Sequence, residues 1–204
     1  MTTILLIRHG ENDFMRQHKL AGWLPGIHLN ARGRAQAEAL VPMLESLSLE
    51  AIYASPLERA VETAVPLARA RHLPVQRRVG LGEIRYGSWQ GRPLASLRRL
   101  KLWARVQATP SLVTIPEGDS FRQAQARMIE EIERLRQLHR GVIACFSHAD
   151  PIKLALSFYL GQPLDLFQRL TIDPASVSTL AFVDDRVRVP GINDTRATRS
   201  GGSG

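Results

Sequence analysis

The chain has 204 residues, 44% of them hydrophobic, enough to close one well-buried core, so a single domain is expected. Its 27 basic residues outnumber 19 acidic ones for a net charge of +8, and because only Lys19, Lys101 and Lys153 are lysines, 24 of the 27 are arginine. Guanidinium forks favour phosphate or carboxylate partners, although outside motifs these arginines read as ordinary surface. A lone Cys145 excludes an internal disulfide, no apolar run approaches the roughly 18 residues of a membrane span, and no basic leader precedes Ile4; a soluble, cytoplasmic protein is expected.

Ile4 to Ile7 is a short continuous apolar run closed by charged residues and Gly10, the pattern of a strand buried on both faces, and its end delivers Arg8 and His9. From Arg32 the apolar residues take helical spacing through Ala37, Leu40, Leu44 and Leu47; Ala51 to Ala54 reads as a second strand. Ser55 and Pro56 read as N-cap and first position of a helix that runs to about Arg71, with a short extended piece at Pro74 to Gln76. The glycine-punctuated stretch from Val79 to Gly91 predicts a loop. Residues 94 to 106 predict a basic helix, and Phe121, Ala124, Met128, Ile129, Ile132, Leu135 and Leu138 mark the stripe of a long amphipathic one.

Val142 to Phe146 predicts another strand, with Cys145 as a small core residue. Ser147 and His148 follow, then a helix from about Pro151 to Leu160, a loop rich in Asp and Pro, and a last strand near Thr179 to Val183. Alternating strands and helices imply an α/β fold of three layers, α/β/α, with a mostly parallel central sheet whose sites form at the carboxyl ends of strands. The end, Ser-Gly-Gly-Ser-Gly, has the composition of an appended linker, and residues 191–204 are expected to form a flexible tail outside a domain of residues 1–190.

Two histidines, His9 and His148, each directly follow an apolar strand. Phosphoryl transfer needs a nucleophile, cations around three equatorial oxygens and a proton donor for the leaving oxygen. Arg8 beside His9, Arg59 after the second strand and Glu83 in the glycine-punctuated loop supply those types.

At this point the chain resembles the histidine phosphatase superfamily, which includes cofactor-dependent phosphoglycerate mutases and many phosphatases. The resemblance rests on Leu6-Ile7-Arg8-His9-Gly10-Glu11, on Leu29 to Ala37, Ala54 to Ala64 and Leu81 to Gly91, on Pro116 to Ser120, and on Phe146-Ser147-His148, in the family's order. It implies a phosphoglycerate mutase-like fold with a small helical cap at about residues 92–120. It further implies that His9 attacks phosphorus, that Arg8, Arg59 and His148 hold the transferring oxygens, and that Glu83 protonates the leaving group. Asn12, Gly22, Tyr86 and Ala149 take substrate-binding positions by the same resemblance, with no metal and no cofactor. Tyr86 stands where mutases carry Tyr and phosphatases often Phe, so its hydroxyl is a candidate for substrate contact. One departure matters: the family's usual Asn is Met15 here, so either Asn12 supplies the amide from elsewhere or the pocket accepts a different leaving group.

Other readings are weaker. Ser147, His148 and Asp150 are too close in one turn to converge as a serine-hydrolase triad, no metal-ligand spacing accompanies His148 and Asp150, and the basic stretch from Arg98 to Arg105 favours substrate contact or plain surface over nucleic acid. Trp23 and Trp89 read as packing or loop anchors. The expected function is hydrolysis of a small phosphomonoester, the short stretch between Glu83 and His148 leaving room for water. A phosphomutase and a non-catalytic phospho-ligand-binding member are the alternatives. The expected partner is a small phosphorylated metabolite, not nucleic acid or a membrane, and a homodimer is compatible with this reading.

Overall fold

The computed structural model describes residues 1–184 and 186–199. In chain order the elements are β1 (Thr2–Arg8), α1 (Asp13–Arg16), α2 (Ala31–Met43), β2 (Leu49–Ala54), α3 (Glu58–Arg71), β3 (Val75–Arg77), α4 (Leu94–Leu97), α5 (Lys101–Ala108), α6 (Phe121–Leu138), β4 (Val142–Ser147), α7 (Ala149–Tyr159), β5 (Val177–Val183), β6 (Arg186–Asp194) and α8 (Arg196–Arg199). The sheet order is β3-β2-β4-β1-β5-β6. The first four strands are parallel, and β5 and β6 are antiparallel. No described helix is long and apolar enough to cross a membrane.

Because side chains alternate across a strand, β1 splits between two cores: Ile4 and Leu6 face α6 and α7, whereas Leu5 and Ile7 face α2 and α3. β4 does the same with Ile143 and Cys145 against Ala144 and Phe146. Strands buried on both faces therefore carry apolar residues at every position, which is why they were legible as unbroken runs. A third cluster, built from Trp89, Leu97, Val106, Phe121 and Phe167 among others, forms the cap.

Three expectations are corrected. The basic helix is two helices: five of its apolar residues, Leu94, Leu97, Leu100, Trp103 and Val106, stand every third position and would drift by about 60° per step on one continuous helix. The extended Leu100 (φ −81°, ψ 136°) resets the stripe so that all five reach the cap core. Second, α3 begins at Glu58 rather than Pro56, with Leu57 as its N-cap: the Ser55 hydroxyl pairs with His148 at 2.8 Å and accepts the Leu57 N–H only at 3.4 Å. Third, order extends past residue 190: β6 runs to Asp194, and α8 packs on α2 with Ala197 buried. The alternation Arg186-Val187-Arg188-Val189 with Pro190 suits an exposed edge strand, and it lacks the apolar run that marks the central ones. The Ser-Gly-Gly-Ser-Gly end lies outside the described residues.

Candidate active site

The carboxyl edge of the parallel strands gathers residues far apart in the chain. His9 follows β1, Ser55 follows β2, Arg59 sits in the first turn of α3, and His148 is the N-cap of α7 after β4. The rings of His9 and His148 lie 5.1 Å apart, inclined by 62°. Arg8, His9, Asn12, Arg59, Glu83, Tyr86 and Ala149 line one cavity of about 550 Å³, and His148 is fully buried against His9. Arg8 and Arg59 keep their charge, since burial lowers the guanidinium pKa of each from a very high starting point.

The loop after β1 is held by the segment that opens α2. A Cβ on Gly10 would stand 2.6 Å from the Gly33 carbonyl oxygen, so the two backbones meet only because both residues are glycine. Gln36 Oε1 accepts the Glu11 N–H at 2.8 Å, and the Asn30 side chain caps α2 by accepting from Gly33 N–H at 2.9 Å. In the same way Asp119 accepts from Arg85 N–H at 3.1 Å and from Arg127 Nη1 at 2.6 Å. Arg127 Nη2 and Trp23 Nε1 both donate to the Glu83 carbonyl, which frames the loop that carries Glu83.

His9 Nδ1–H donates to the Gly10 carbonyl at 2.7 Å, which leaves the lone pair on Nε2. Burial, then the neighbouring Arg59 and Arg8, holds its pKa well below 6.5, so the ring is neutral and nucleophilic. Arg59 Nε donates to that Nε2 at 3.3 Å. His148 is held well below 6.5 by burial, Arg59 and His9, so it too is neutral here and not the cation that phosphate alone would favour. Its Nε2 pairs with Ser55 Oγ at 2.8 Å; with the serine donating, the proton of the ring sits on Nδ1.

Around His9, four buried N–H-bearing atoms have no partner among the described residues: Arg8 Nε, Asn12 Nδ2, Arg59 Nη1 and His148 Nδ1. Their sister atoms are engaged. Arg8 Nη1 donates to the Ile172 carbonyl at 2.6 Å, Arg59 Nη2 to the Gly22 carbonyl at 2.8 Å, and Asn12 Oδ1 accepts from Met15 N–H at 3.0 Å. Leaving one buried donor unpaired costs about 1–3 kcal/mol, so four together are a site built for an acceptor-rich anion.

Glu83 is pushed up to about 7, first by burial and then by the Asp150 carboxylate, against the opposing pull of Arg59, the Ile84 N–H and Arg8. Its Oε2 lies 3.9 Å from His148 Nδ1, and because that imidazole is neutral the contact is not an ion pair. Tyr86 donates its hydroxyl proton to Asp150 Oδ2 at 2.5 Å, so the expected free hydroxyl is committed to that carboxylate. Lys153 Nζ stands 3.5 Å from Asp150 Oδ1. The arrangement can place a nucleophilic nitrogen, a donor cradle and a protonated carboxyl around one phosphoryl group.

Of the expected residues, Gly22 and His148 lie outside the cavity lining: His148 is fully buried behind it against His9, while the Gly22 carbonyl holds Arg59, and a φ of +55° with the Gln90 side chain close by favours glycine there. Met15 meets Arg8 Nη2 through Sδ at 3.6 Å, and the free amide nitrogen comes from Asn12. Trp89 lines the cavity as well as packing the cap. Sequence reading missed Ser55 as the partner of His148, Thr63 as the acceptor of Gly10 N–H at 3.0 Å, and the Tyr86–Asp150–Lys153 chain. The Asp150/Lys153 spacing on a helix was the one signal available for these. Ser147 Oγ donates to the Leu81 carbonyl at 2.7 Å, not toward His148.

The family model for the histidine phosphatase superfamily (branch 1) matches residues 4–195. The bifunctional protein Rv2228c of Mycobacterium tuberculosis is 33% identical over 189 residues, 90% of this chain but 51% of that protein, so the chain spans about half the length of this relative. Phosphoserine phosphatase 1 of Hydrogenobacter thermophilus is 27% identical over 201 residues, 96% of this chain and 93% of that one. Among solved structures, Bacillus stearothermophilus YhfR superposes with a TM-score of 0.91 at 26% identity, covering 97% of this chain and 99% of that one. With the motifs in family order, the two histidines in contact and the match running through the whole sheet, this chain belongs to the histidine phosphatase superfamily, branch 1.

Proposed function

We propose that the protein hydrolyses phosphomonoesters, without a metal, through a phosphohistidine on His9. The observation that carries this reading is the neutral, lone-pair-bearing His9 Nε2 beside four buried donors that lack a partner. Nε2 attacks phosphorus; the N–P bond forms as the bond to the leaving oxygen breaks, and Glu83 gives that oxygen its proton. Water then attacks phosphorus and passes a proton to the Glu83 carboxylate, and the N–P bond breaks with its electron pair returning to Nε2. Arg8, Arg59, Asn12 and His148 donate to the equatorial oxygens, with Asn12 in the role that Met15 cannot fill.

A phosphatase-named relative of nearly full coverage supports hydrolysis of a small phosphorylated metabolite as the reaction class. We place the protein in the cytoplasm, since its one cysteine is buried and free. The test is phosphate release from p-nitrophenyl phosphate in EDTA, with trapping of an acid-labile, base-stable label on the protein. Wild type should do both and His9→Ala neither. Equal release by the variant overturns the reading, and isomerisation of phosphoglycerate in place of release would assign a mutase instead.

A further inference from the structure

The cavity extends beyond its phosphate end, and the outer part has a chemistry of its own. One wall is aromatic. Trp89 and Trp103 stand with ring centroids 5.9 Å apart at 39°, Trp89 buried and Trp103 half-buried, and both line the cavity beside Leu94 and Phe121. The rim is cationic. Lys19 and Arg98 line the same cavity, and neither is ion-paired with a carboxylate among the described residues. The carboxyls in the lining are Glu83, which carries the proton for the leaving oxygen, and Asp150, which already holds Tyr86 and Lys153.

These features sit on segments tied to each other. Leu94 N–H donates to the His18 carbonyl at 2.8 Å and Leu20 N–H to the Arg92 carbonyl at 3.0 Å, so the loop carrying Lys19 and the cap carrying Arg98 form one rim. Resting on the phosphomonoesterase reading above, we infer that the leaving group of the natural substrate carries a flat unsaturated ring and, beyond it, a second negative charge. A flat ring covers the tryptophan wall at little cost in conformational entropy. A second anion meets the two unpaired cations, whereas a cationic group would be repelled by them. A cavity of about 550 Å³ is in the range that encloses molecules much larger than a three-carbon phosphate, which would leave the half-buried Trp103 uncovered.

The experiment compares kcat/KM for alkyl phosphates of matched leaving-group acidity: ethyl phosphate, 2-phenylethyl phosphate, its 4-carboxy derivative and its 4-trimethylammonio derivative, with 3-phosphoglycerate alongside. The carboxy compound should be the best, the phenyl compound should exceed ethyl phosphate and 3-phosphoglycerate by about tenfold, and the trimethylammonio compound should fall below the phenyl one. Arg98→Gln, on an exposed side chain, should lose about fivefold on the carboxy compound and nothing on the phenyl compound. Trp103→Leu should lower kcat/KM on all three ring compounds about tenfold relative to ethyl phosphate. Equal or better turnover of ethyl phosphate or 3-phosphoglycerate than of the ring compounds overturns the inference while leaving the phosphomonoesterase reading in place. No phosphate release from any compound overturns both.

Discussion

Strand β4 has a histidine near each end, and the two surroundings use the same residue types in opposite ways. At the amino end, His139 has both ring nitrogens engaged, Nδ1 with Glu50 Oε2 at 3.0 Å and Nε2 with the Tyr53 hydroxyl at 2.8 Å, while Thr2 Oγ1 donates to its carbonyl. At the carboxyl end, His148 has one nitrogen on Ser55 and the other unpartnered, next to a second histidine and two arginines that each also leave a nitrogen unpaired. The first cluster is closed and stabilises the join between α6, β2 and β4. The second gathers four unpaired buried donors around one histidine at a cost in stability, and that clustering is what supports the proposed anion site. Charge follows the same division: burial and the arginines hold His9 and His148 neutral, and burial with Asp150 raises Glu83.

The sharpest way to break this comparison is to remove one histidine from each end. His9→Ala should lower kcat/KM for an alkyl phosphate on the order of 10⁴-fold, whereas His139→Ala should stay within about twofold of wild type. Arg59→Ala comes next, with a loss of about 10²–10³-fold in kcat. It should also abolish the rise in Tm that inorganic phosphate produces in wild type, a calorimetric reading of the donor cradle independent of turnover.

The proton on Glu83 gives the third test. In the proposed mechanism its acid form acts in the first step, so kcat/KM should fall as pH rises through about 7. Glu83→Gln should lose about 10²-fold and flatten that limb. Asp150→Asn removes a carboxylate that raises the Glu83 pKa, so the fall should move to lower pH, and a pH profile with an unmoved limb would refute the coupling. The stability sign runs the other way from an ion-paired acid. Between pH 4.5 and about 7 the folded state keeps a proton that the unfolded chain has lost, so wild-type stability should decline across that window relative to Glu83→Gln. The smallest effect belongs to the closed cluster: His139→Ala should cost about 1 kcal/mol in thermal unfolding, read with no change in the pH profile of activity.

Several parts of the candidate site are legible in the sequence alone. The unbroken apolar runs that become β1 and β4 placed His9 and His148 at strand ends, and a parallel sheet puts such ends on one edge. The block from Leu29 to Ala37 was visible as a motif, but not its task, which is to let Gly33 and Gln36 grip the backbone of Gly10 and Glu11. The edge strand β6 was lost to its own polarity, since a strand with one solvated side and a proline at its centre resembles a tail. The Tyr86 hydroxyl was expected at the substrate because nothing in the local sequence tells that Asp150, 64 positions away, accepts it.

By itself the sequence determined which chemical groups exist and the order of strands and helices that carries them, because periodicity and residue type act over a few neighbouring positions. Only the tertiary structure decided their states. The tautomer of His148 depends on Ser55, 93 positions away, the proton on Glu83 depends on burial beside Asp150, and the unpaired state of the Asn12 amide nitrogen depends on how its Oδ1 is engaged and what packs around it. Hydrogen-bond satisfaction and desolvation are sums over everything packed around a group, and no local window of the chain contains those terms.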